Sequence, residues 1–445
     1  MILFKRRKRE SVTVYLFDLV LLLWFLEIVY PPLNTLPVKR AVVCLACAFA
    51  SIFLYLAMRI RRMGSVPVKA AAVLFVYVLM IVLPHVVRNG VIGNRYMSLS
   101  LVFLAPLIFD FYRENRLLGH LKVILLIVAA VALFTGIVTY SNLLNDSFIS
   151  RSVKSSGEES AEVERRGIGG YLFIYFVAAA SLPVLFGFLH EKRRKLKKFA
   201  FLAIYVFGLM LIIKSNYMTA FVTVVFCSLL MVFLYLAQGR GYRGQILLFV
   251  VLAAFFVLVL NVDKLLQLME GFFPKRIAAV LYSGEEGVTQ SIFTEFKEDR
   301  WPTVVESLQA FARHPVLGLC FYGRLMTNSD GFLIGFGQHS FIADTFALYG
   351  MLFGVVSVWI AFRALRFYHK EKVNALSFAM ALCIFALYFL NNATESIALV
   401  VGIVYPLVRE LSRENPEAEP ESVSVSEPEP KSVSVPASEP KGEIE

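Results

Sequence analysis

The chain has 445 residues, of which 58% are hydrophobic and only 17% are charged. Its mean hydropathy of +0.68 is far above what a soluble domain needs to fill a core, so the composition excludes an ordinary soluble protein. The apolar runs are continuous rather than alternating, as in membrane helices. We therefore predict an all-α polytopic bundle of transmembrane helices.

The apolar runs recur at close to the ~20 residues that a helix needs to cross a bilayer, and they predict about 12 spans. Spans one to nine fall within 14–261, and spans ten to twelve fall within 339–411. The fourth span is short, and a break of only three residues separates the seventh span from the eighth. Re-entry of any of these three would invert the orientation downstream, although the basic loops favour 12 spans. The predicted spans are 14–30, 41–58, 68–87, 96–112, 121–140, 168–189, 199–213, 217–236, 245–261, 339–362, 373–390 and 395–411.

The formal charge of +11 follows the membrane and does not indicate a nucleic-acid partner. With the amino terminus inside, the basic runs fall in cytoplasmic segments, as the positive-inside rule expects. These segments are the basic amino terminus 1–13, the runs 59–62 and 192–198, and Arg363, Arg366, Lys370 and Lys372. Fewer basic residues fall in outer loops. We expect a multi-pass protein of the cytoplasmic membrane with both termini in the cytoplasm and the first helix retained as a signal anchor.

The five cysteines do not form a disulfide framework. Cys44, Cys47, Cys227 and Cys383 fall in apolar spans, and Cys320 falls in an outer loop. We interpret the first two as small core residues rather than as a redox or zinc pair, because they lie in a helix within lipid.

Two outer segments are long enough to carry function. Residues 141–167 are polar and mixed in charge, and residues 262–338 form a large extracytoplasmic loop. Apolar residues recur in this loop at helical spacing after Pro302, which suits a first helical turn. We predict an amphipathic helix that either packs on the bundle or lies at the membrane surface. The apolar positions are Trp301, Val304, Val305, Leu308 and Phe311.

The composition changes abruptly after about residue 412 to Glu, Pro, Ser, Val and Lys, with a near repeat (SVSVSEPEPK, then SVSVPASEPK). Such a segment cannot bury a core. We predict that residues 412–445 form a disordered cytoplasmic tail.

The most informative stretch is HPVLGLCFYG, from His314 to Gly323, followed by GQHSFIADTFALYGMLFG, from Gly337 to Gly354. An Arg-Trp pair and a helix precede His-Pro-x-x-Gly, and nine residues then separate a His-Ser pair from a glycine. This order resembles the O-antigen polymerase and O-antigen ligase superfamily of membrane glycosyltransferases. The last glycine departs from the ligase pattern, in which a small residue or Tyr stands one position earlier, so polymerase is slightly preferred.

The resemblance implies transfer of a glycan from a polyprenyl-diphosphate donor to a sugar hydroxyl on the outer face of the membrane. Without a metal, guanidinium groups neutralise the diphosphate, and Arg300, Arg166 and Arg165 are the outer arginines that suit this role. His339 suits a general base because imidazole titrates near neutral pH. Asp344 is expected to orient the imidazole or to line the acceptor cavity.

Each of these assignments has a plainer alternative. His339 would then only hydrogen-bond a loop at the interface. Arg300 would pair with Glu298 or Asp299, and the other two arginines would balance the glutamates of their own segment. His314 is better explained by the proline that follows it, because the residue before a proline tends to end a helix.

Charged groups inside spans are costly and therefore functional candidates. Besides Asp344, the sequence has Asp18, Glu27, Asp110 and Glu395 near span ends. The alternative for all five is that they lie at the interface or pair with a neighbouring helix.

The sequence contains no phosphate-binding loop, no H-E-x-x-H and no cluster with metal-ligand spacing, so we expect no metal and no cofactor. The expected partners are a lipid-linked glycan donor, a glycan acceptor, the bilayer and other polysaccharide-assembly proteins. A lipid-linked oligosaccharide flippase is the main alternative, although the sequence shows no clear internal repeat. A noncatalytic assembly partner that docks through its tail is the third possibility.

Overall fold

The computed structural model describes residues 12–36, 40–64, 68–88, 94–146, 149–152, 158–191, 194–238, 301–322, 335–337, 339–367 and 375–413. Within these ranges every regular element is a helix, which confirms the predicted all-α class. The ninth predicted span, the loop residues 262–300 (Arg300 among them), 323–334 and 338, and the tail beyond residue 413 lie outside the described residues.

Among the described elements, two π-helical segments, which have wider turns than an α-helix, adjoin the α-helices. Val78–Arg88 follows α3, and Val400–Val404 lies between α15 and α16. A 3₁₀ turn, Pro31–Thr35, follows α1. The helices are α1 (Val12–Val29), α2 (Arg40–Met63), α3 (Val68–Tyr77), α4 (Asn94–Glu114), α5 (Leu118–Leu143), α6 (Ile149–Ser152), α7 (Glu158–Arg165), α8 (Tyr171–His190), α9 (Lys195–Lys214), α10 (Met218–Gln238), α11 (Trp301–Arg313), α12 (Leu319–Tyr322), α13 (Phe341–Phe367), α14 (Ala375–Leu390), α15 (Thr394–Leu399) and α16 (Tyr405–Arg413).

Six helices in the described part of the chain are long and apolar enough to cross a membrane. They match six of the predicted spans and support a multi-pass membrane protein. The full count of about 12 spans stays a prediction. The six segments are Val12–Val29, Leu118–Leu143, Tyr171–His190, Lys195–Lys214, Met218–Leu236 and Phe341–Phe362.

The short break between the seventh and eighth predicted spans is present. Helix α9 ends at Lys214 and α10 begins at Met218. Between them Asn216 has a φ of 58°, a left-handed conformation that asparagine adopts more readily than most residues. The polar triplet in the sequence therefore marks a true turn between two helices.

Contacts between helix ends gather at one end of the bundle, which we call the His339 end. There the backbone N–H of Phe341 donates to the carbonyl of Asn391 at 3.2 Å, and the hydroxyl of Tyr175 donates to the Asn391 side chain at 2.7 Å. The rings of Tyr171 and Tyr217 lie 6.0 Å apart at the same end. The predicted alternation of spans assigns all these ends to one side of the membrane.

A second set of contacts forms the other end of the bundle, which we call the Asp18 end. The hydroxyl of Tyr112 donates to Asp18 at 2.5 Å, and His120 Nδ1 lies 2.6 Å from the same carboxylate. Arg59 pairs with Glu114, which lies two residues after Tyr112. The predicted topology assigns these residues to the cytoplasmic side, and Asp18 pairs with neighbouring helices, as its plainer interpretation expects.

Helix α13 differs from the straight span that the sequence predicts. Gly350 has φ 65° and ψ −170°, which interrupts the helix. The ring of Tyr388 contacts Phe341, at 4.4 Å between ring centroids, and also Phe362, at 6.3 Å, although a straight helix would separate these two phenylalanines by about 31 Å. The two halves of α13 therefore fold back towards each other at Gly350.

Candidate active site

The first turn of α13 explains the serine in the His-Ser pair. The hydroxyl of Ser340 accepts a hydrogen bond from the backbone N–H of Ala343 at 3.2 Å, and its carbonyl accepts one from Asp344 N–H at 2.9 Å. Ser340 is therefore the N-cap of the helix, where a short side-chain acceptor satisfies an orphan N–H group. His339, the residue before the cap, is exposed. The cap thus fixes the backbone that presents His339.

Asp344 is fully buried one turn into α13. Its Oδ1 accepts a hydrogen bond from the hydroxyl of Ser307 in α11 at 2.6 Å. The same Ser307 oxygen accepts the backbone N–H of Gly337 at 2.9 Å. Asp344 therefore joins α11, the Gly337 segment and α13, and its predicted contact with the acceptor or with His339 stays a prediction.

The His-Pro-x-x-Gly motif forms a turn that closes against the break in α13. The N–H groups of Met351 and Leu352 donate to the carbonyls of Pro315, at 2.7 Å, and Val316, at 3.2 Å. These N–H groups begin the second half of the interrupted helix, where they have no partner within it. The turn thus supplies carbonyl acceptors for the two N–H groups that the break leaves without a partner in the helix.

Two glycines permit this close approach. A Cβ on Gly318 would lie 2.4 Å from backbone atoms of Leu348 and Gly350, and one on Gly350 would lie 2.3 Å from the Val316 carbonyl oxygen. Both glycines also have positive φ, at 72° and 65°, which other L-residues adopt only with strain. The two halves of the sequence motif therefore meet backbone to backbone.

His314 has the structural role that the sequence suggested. It follows the end of α11, its carbonyl accepts the N–H of Gly318 at 2.9 Å, and its ring stacks on Tyr322 at 4.6 Å between centroids. Beyond it, Cys320 is fully buried, and burial raises the pKa of its thiol. A protonated, enclosed thiol is not a nucleophile.

Arg165 and Arg166 stand at the end of α7, and both side chains are more than half exposed. Glu162 lies 3.5 Å from Arg165 and 3.7 Å from Arg166, and exposed pairs of this kind are weak. The exposed guanidinium groups remain accessible to a diphosphate. Arg300 lies just outside the described residues, and α11 begins at the next residue, Trp301.

A short path of contacts connects these arginines with His339. Gly170, four residues after Arg166, precedes α8, and the Tyr171 hydroxyl in its first turn accepts the N–H of Asn392 at 3.2 Å. The neighbouring Asn391 binds the N–H of Phe341. The segment that carries Arg165 and Arg166 therefore lies at the same end of the bundle as His339.

Sequence reasoning missed the polar residues that hold this end together. Arg151 donates to the carbonyl of Asn216 at 2.7 Å and lies over the ring of Tyr217, 5.4 Å from its centroid. Ser307 and Asn391 were missed as well. Ser307 falls on the buried side of a helix at the same spacing as Val304 and was recognisable there, whereas an asparagine between two apolar runs gives no signal of its partners.

Within the described residues, no group of three or more His, Cys, Asp or Glu side chains is arranged to hold a metal ion. No protein-family model matches the sequence, and no curated protein matches it. The likeness to O-antigen polymerases and ligases therefore rests on the residues between 300 and 354.

Proposed function

We propose that the protein is a membrane glycosyltransferase of the O-antigen polymerase or ligase type. It transfers a glycan from a polyprenyl-diphosphate donor to a sugar hydroxyl of a second glycan, on the outer face of the cytoplasmic membrane. The observation that supports this most is the junction of the two motif halves. The His314–Gly318 turn and the Ser340–Gly350 helix are in direct backbone contact, so the pattern that carries the resemblance corresponds to one structural unit.

The position of His339 supports its role in proton transfer. In the proposed step, the acceptor hydroxyl oxygen attacks the anomeric carbon of the donor, His339 takes the hydroxyl proton, and the bond from that carbon to the diphosphate oxygen breaks. The diphosphate leaves with its lipid. An exposed imidazole on a capped helix start is accessible to a substrate and fixed in the backbone, as general base catalysis requires.

The arginines have the complementary role. The leaving diphosphate gains negative charge, and guanidinium groups bind phosphate oxygens in a forked geometry that stabilises this charge without a metal. Arg300 precedes α11, which is hydrogen-bonded to α13 through Ser307. Arg165 and Arg166 offer exposed guanidinium groups at the same end of the bundle.

A transporter of lipid-linked oligosaccharides is the second candidate, and one observation favours it. Helix α13 is interrupted at Gly350, and transporters build midplane binding sites from discontinuous helices. This interruption falls in the carboxyl-terminal part of the chain, whereas inverted-repeat transporters carry such breaks at matching places in two halves.

The deciding experiment measures glycan chain length in cells at matched expression, and with purified protein and lipid-linked repeat units. We compare His339→Ala and Arg300→Ala with His190→Ala and Arg313→Ala, which change the same residue types outside the proposed site. Loss of long chains in the first pair, with single units accumulating at the outer face, supports the transferase. Unaltered chain lengths in both members of that pair would reject the assigned site, and accumulation at the inner face would favour the transporter.

A further inference from the structure

Helix α11 has three different sides, which become clear when its residues are placed at 100° intervals. The first side packs on the bundle and carries Val304, Ser307 and Ala310, all buried. Phe311 extends this side towards Phe346 of α13, with ring centroids 5.8 Å apart. This side carries the contacts of α11 with α13 and the Gly337 segment.

The second side is an apolar stripe, and the third is polar. Trp301, Val305, Leu308 and Ala312 follow one another at spacings of four, three and four residues, and Trp301 and Leu308 are each 45% exposed. The polar side, next to the stripe, carries the exposed residues Glu306, Gln309 and Arg313. A helix that only faced water would not place a tryptophan and a leucine together on a side of their own.

The apolar surface continues onto the second half of α13, after the break at Gly350. The Val316 carbonyl after α11 accepts the N–H of Leu352 at 3.2 Å, and both side chains are exposed, at 58% and 55%. From there Met351, Val355 and Trp359 extend the exposed apolar surface along the second half of α13. A contiguous exposed apolar surface of this kind marks an interaction site for protein or membrane, and in a multi-pass membrane bundle it favours lipid.

We propose that the stripe formed by Trp301, Val305, Leu308 and Ala312, which we call the α11 stripe, is inserted into the lipid leaflet at the His339 end. Helix α11 then lies where protein, lipid and water meet, with its polar side towards the headgroups and the aqueous phase. Tryptophan and arginine are both typical of this level of a bilayer. The proposal rests on the membrane-embedded bundle and is independent of the proposed transferase chemistry.

The first test uses the three tryptophans of the chain in lipid nanodiscs. Single-tryptophan variants retain Trp301 (Trp24→Phe with Trp359→Phe), Trp359 or Trp24. Brominated lipids quench tryptophans that touch lipid, and iodide quenches those in water. We expect lipid quenching for Trp301, strongest with bromine near the headgroups, comparable quenching for Trp359, and little quenching by either agent for Trp24, which is only 1% exposed.

Two results would overturn the proposal. Quenching of Trp301 by iodide and not by brominated lipid would assign α11 to water. Protection from both quenchers would mean that another protein surface, a second copy of this chain included, covers the stripe. A second measurement avoids the tryptophan changes and compares Leu308→Cys with Gln309→Cys, neighbours on the apolar and polar sides. Only the latter should react with a water-soluble maleimide, and equal reaction of both would also reject insertion.

Discussion

Ser307 and Asp344 form the hydrogen bond that ties α11 to α13, with 2.6 Å between the serine hydroxyl oxygen and the carboxylate oxygen. Both residues are fully buried. The bond connects the helix that follows Arg300 with the helix that His339 precedes. In the sequence, Arg300 lies seven residues before Ser307, and His339 lies five residues before Asp344.

Ser307→Ala should lower the free energy of unfolding by about 1–3 kcal/mol, because a buried carboxylate loses a donor and the Gly337 N–H loses an acceptor. Thermal unfolding of the detergent-purified protein measures this loss. Ser181→Ala is the matched control, since that buried hydroxyl only bonds the Val177 carbonyl of its own helix at 2.7 Å. Equal effects of the two changes would contradict the role of Ser307 as a joint.

Gly350→Ala should be more damaging than its conformation alone predicts, because the added Cβ would lie 2.3 Å from the Val316 carbonyl oxygen. Gly64→Ala is the control, because Gly64 has a similar φ of 67° with nothing within 4 Å. The control should lose about 1–2 kcal/mol from left-handed strain, and Gly350→Ala should lose about 1–3 kcal/mol more, from overpacking and from its ψ of −170°, which is essentially restricted to glycine.

The comparison is made by thermal unfolding and by the yield of monodisperse protein. If Gly350→Ala and Gly64→Ala were equally stable, the close approach of the His-Pro turn to the α13 break would be wrong. Gly318→Ala is expected to match Gly350→Ala, because its Cβ meets the same backbone from the other side.

Sequence reasoning predicts the helices well because lipid imposes a length and a composition on each span, and both can be read locally. The positions of α1, α5, α8, α9 and α10 follow from this constraint. The bend at Gly350 could not be predicted in the same way, because a glycine within an apolar run is also compatible with a straight helix. Its conformation depends on acceptors from Pro315 and Val316, which are distant in sequence.

In the candidate site, too, local features can be predicted from the sequence and contacts between distant residues cannot. The capping role of Ser340 is local, and a serine before an apolar run predicts it. The bond between Ser307 and Asp344 joins residues 37 positions apart, and periodicity assigns Ser307 only to a buried side. A pattern in one sequence predicts which side of a helix is buried but not which partner it meets there.

At the opposite end of the bundle, Asp18→Asn should lower the free energy of unfolding by about 1–3 kcal/mol. The carboxylate accepts the Tyr112 hydroxyl with one oxygen and contacts His120 Nδ1 with the other, and an amide offers an acceptor oxygen to only one of these two partners. Asp110→Asn removes the same charge from a partly exposed pair with Arg113, 3.0 Å away, and should cost about 0–1 kcal/mol. Thermal unfolding of both variants under the same conditions compares the two losses of stability. A smaller loss for Asp18→Asn than for Asp110→Asn would contradict the structural role of Asp18.

The orientation of the bundle can be tested with single cysteines on the two ends. We expect Gln309→Cys to react with a membrane-impermeant maleimide added to intact cells, or to spheroplasts where an outer membrane is present, and Arg194→Cys to react only after permeabilisation. Both positions are exposed, and predicted topology places them on opposite sides of the membrane. Reaction of Arg194→Cys in the intact preparation, with Gln309→Cys protected, would invert the predicted topology and move the proposed site into the cytoplasm.

The native cysteines should contribute little background to this labelling. Cys47, Cys227, Cys320 and Cys383 are buried, and Cys44 is replaced by alanine. Because maleimide reacts with the thiolate, and burial raises the pKa of Cys320 above its ordinary 9.0, raising the pH from 7 to 9 should increase the labelling rate of Gln309→Cys and leave Cys320 unlabelled. Labelling of Cys320 in the folded protein over this pH range would show that the turn after α11 opens to water, and the packing of that turn against α13 would then be wrong.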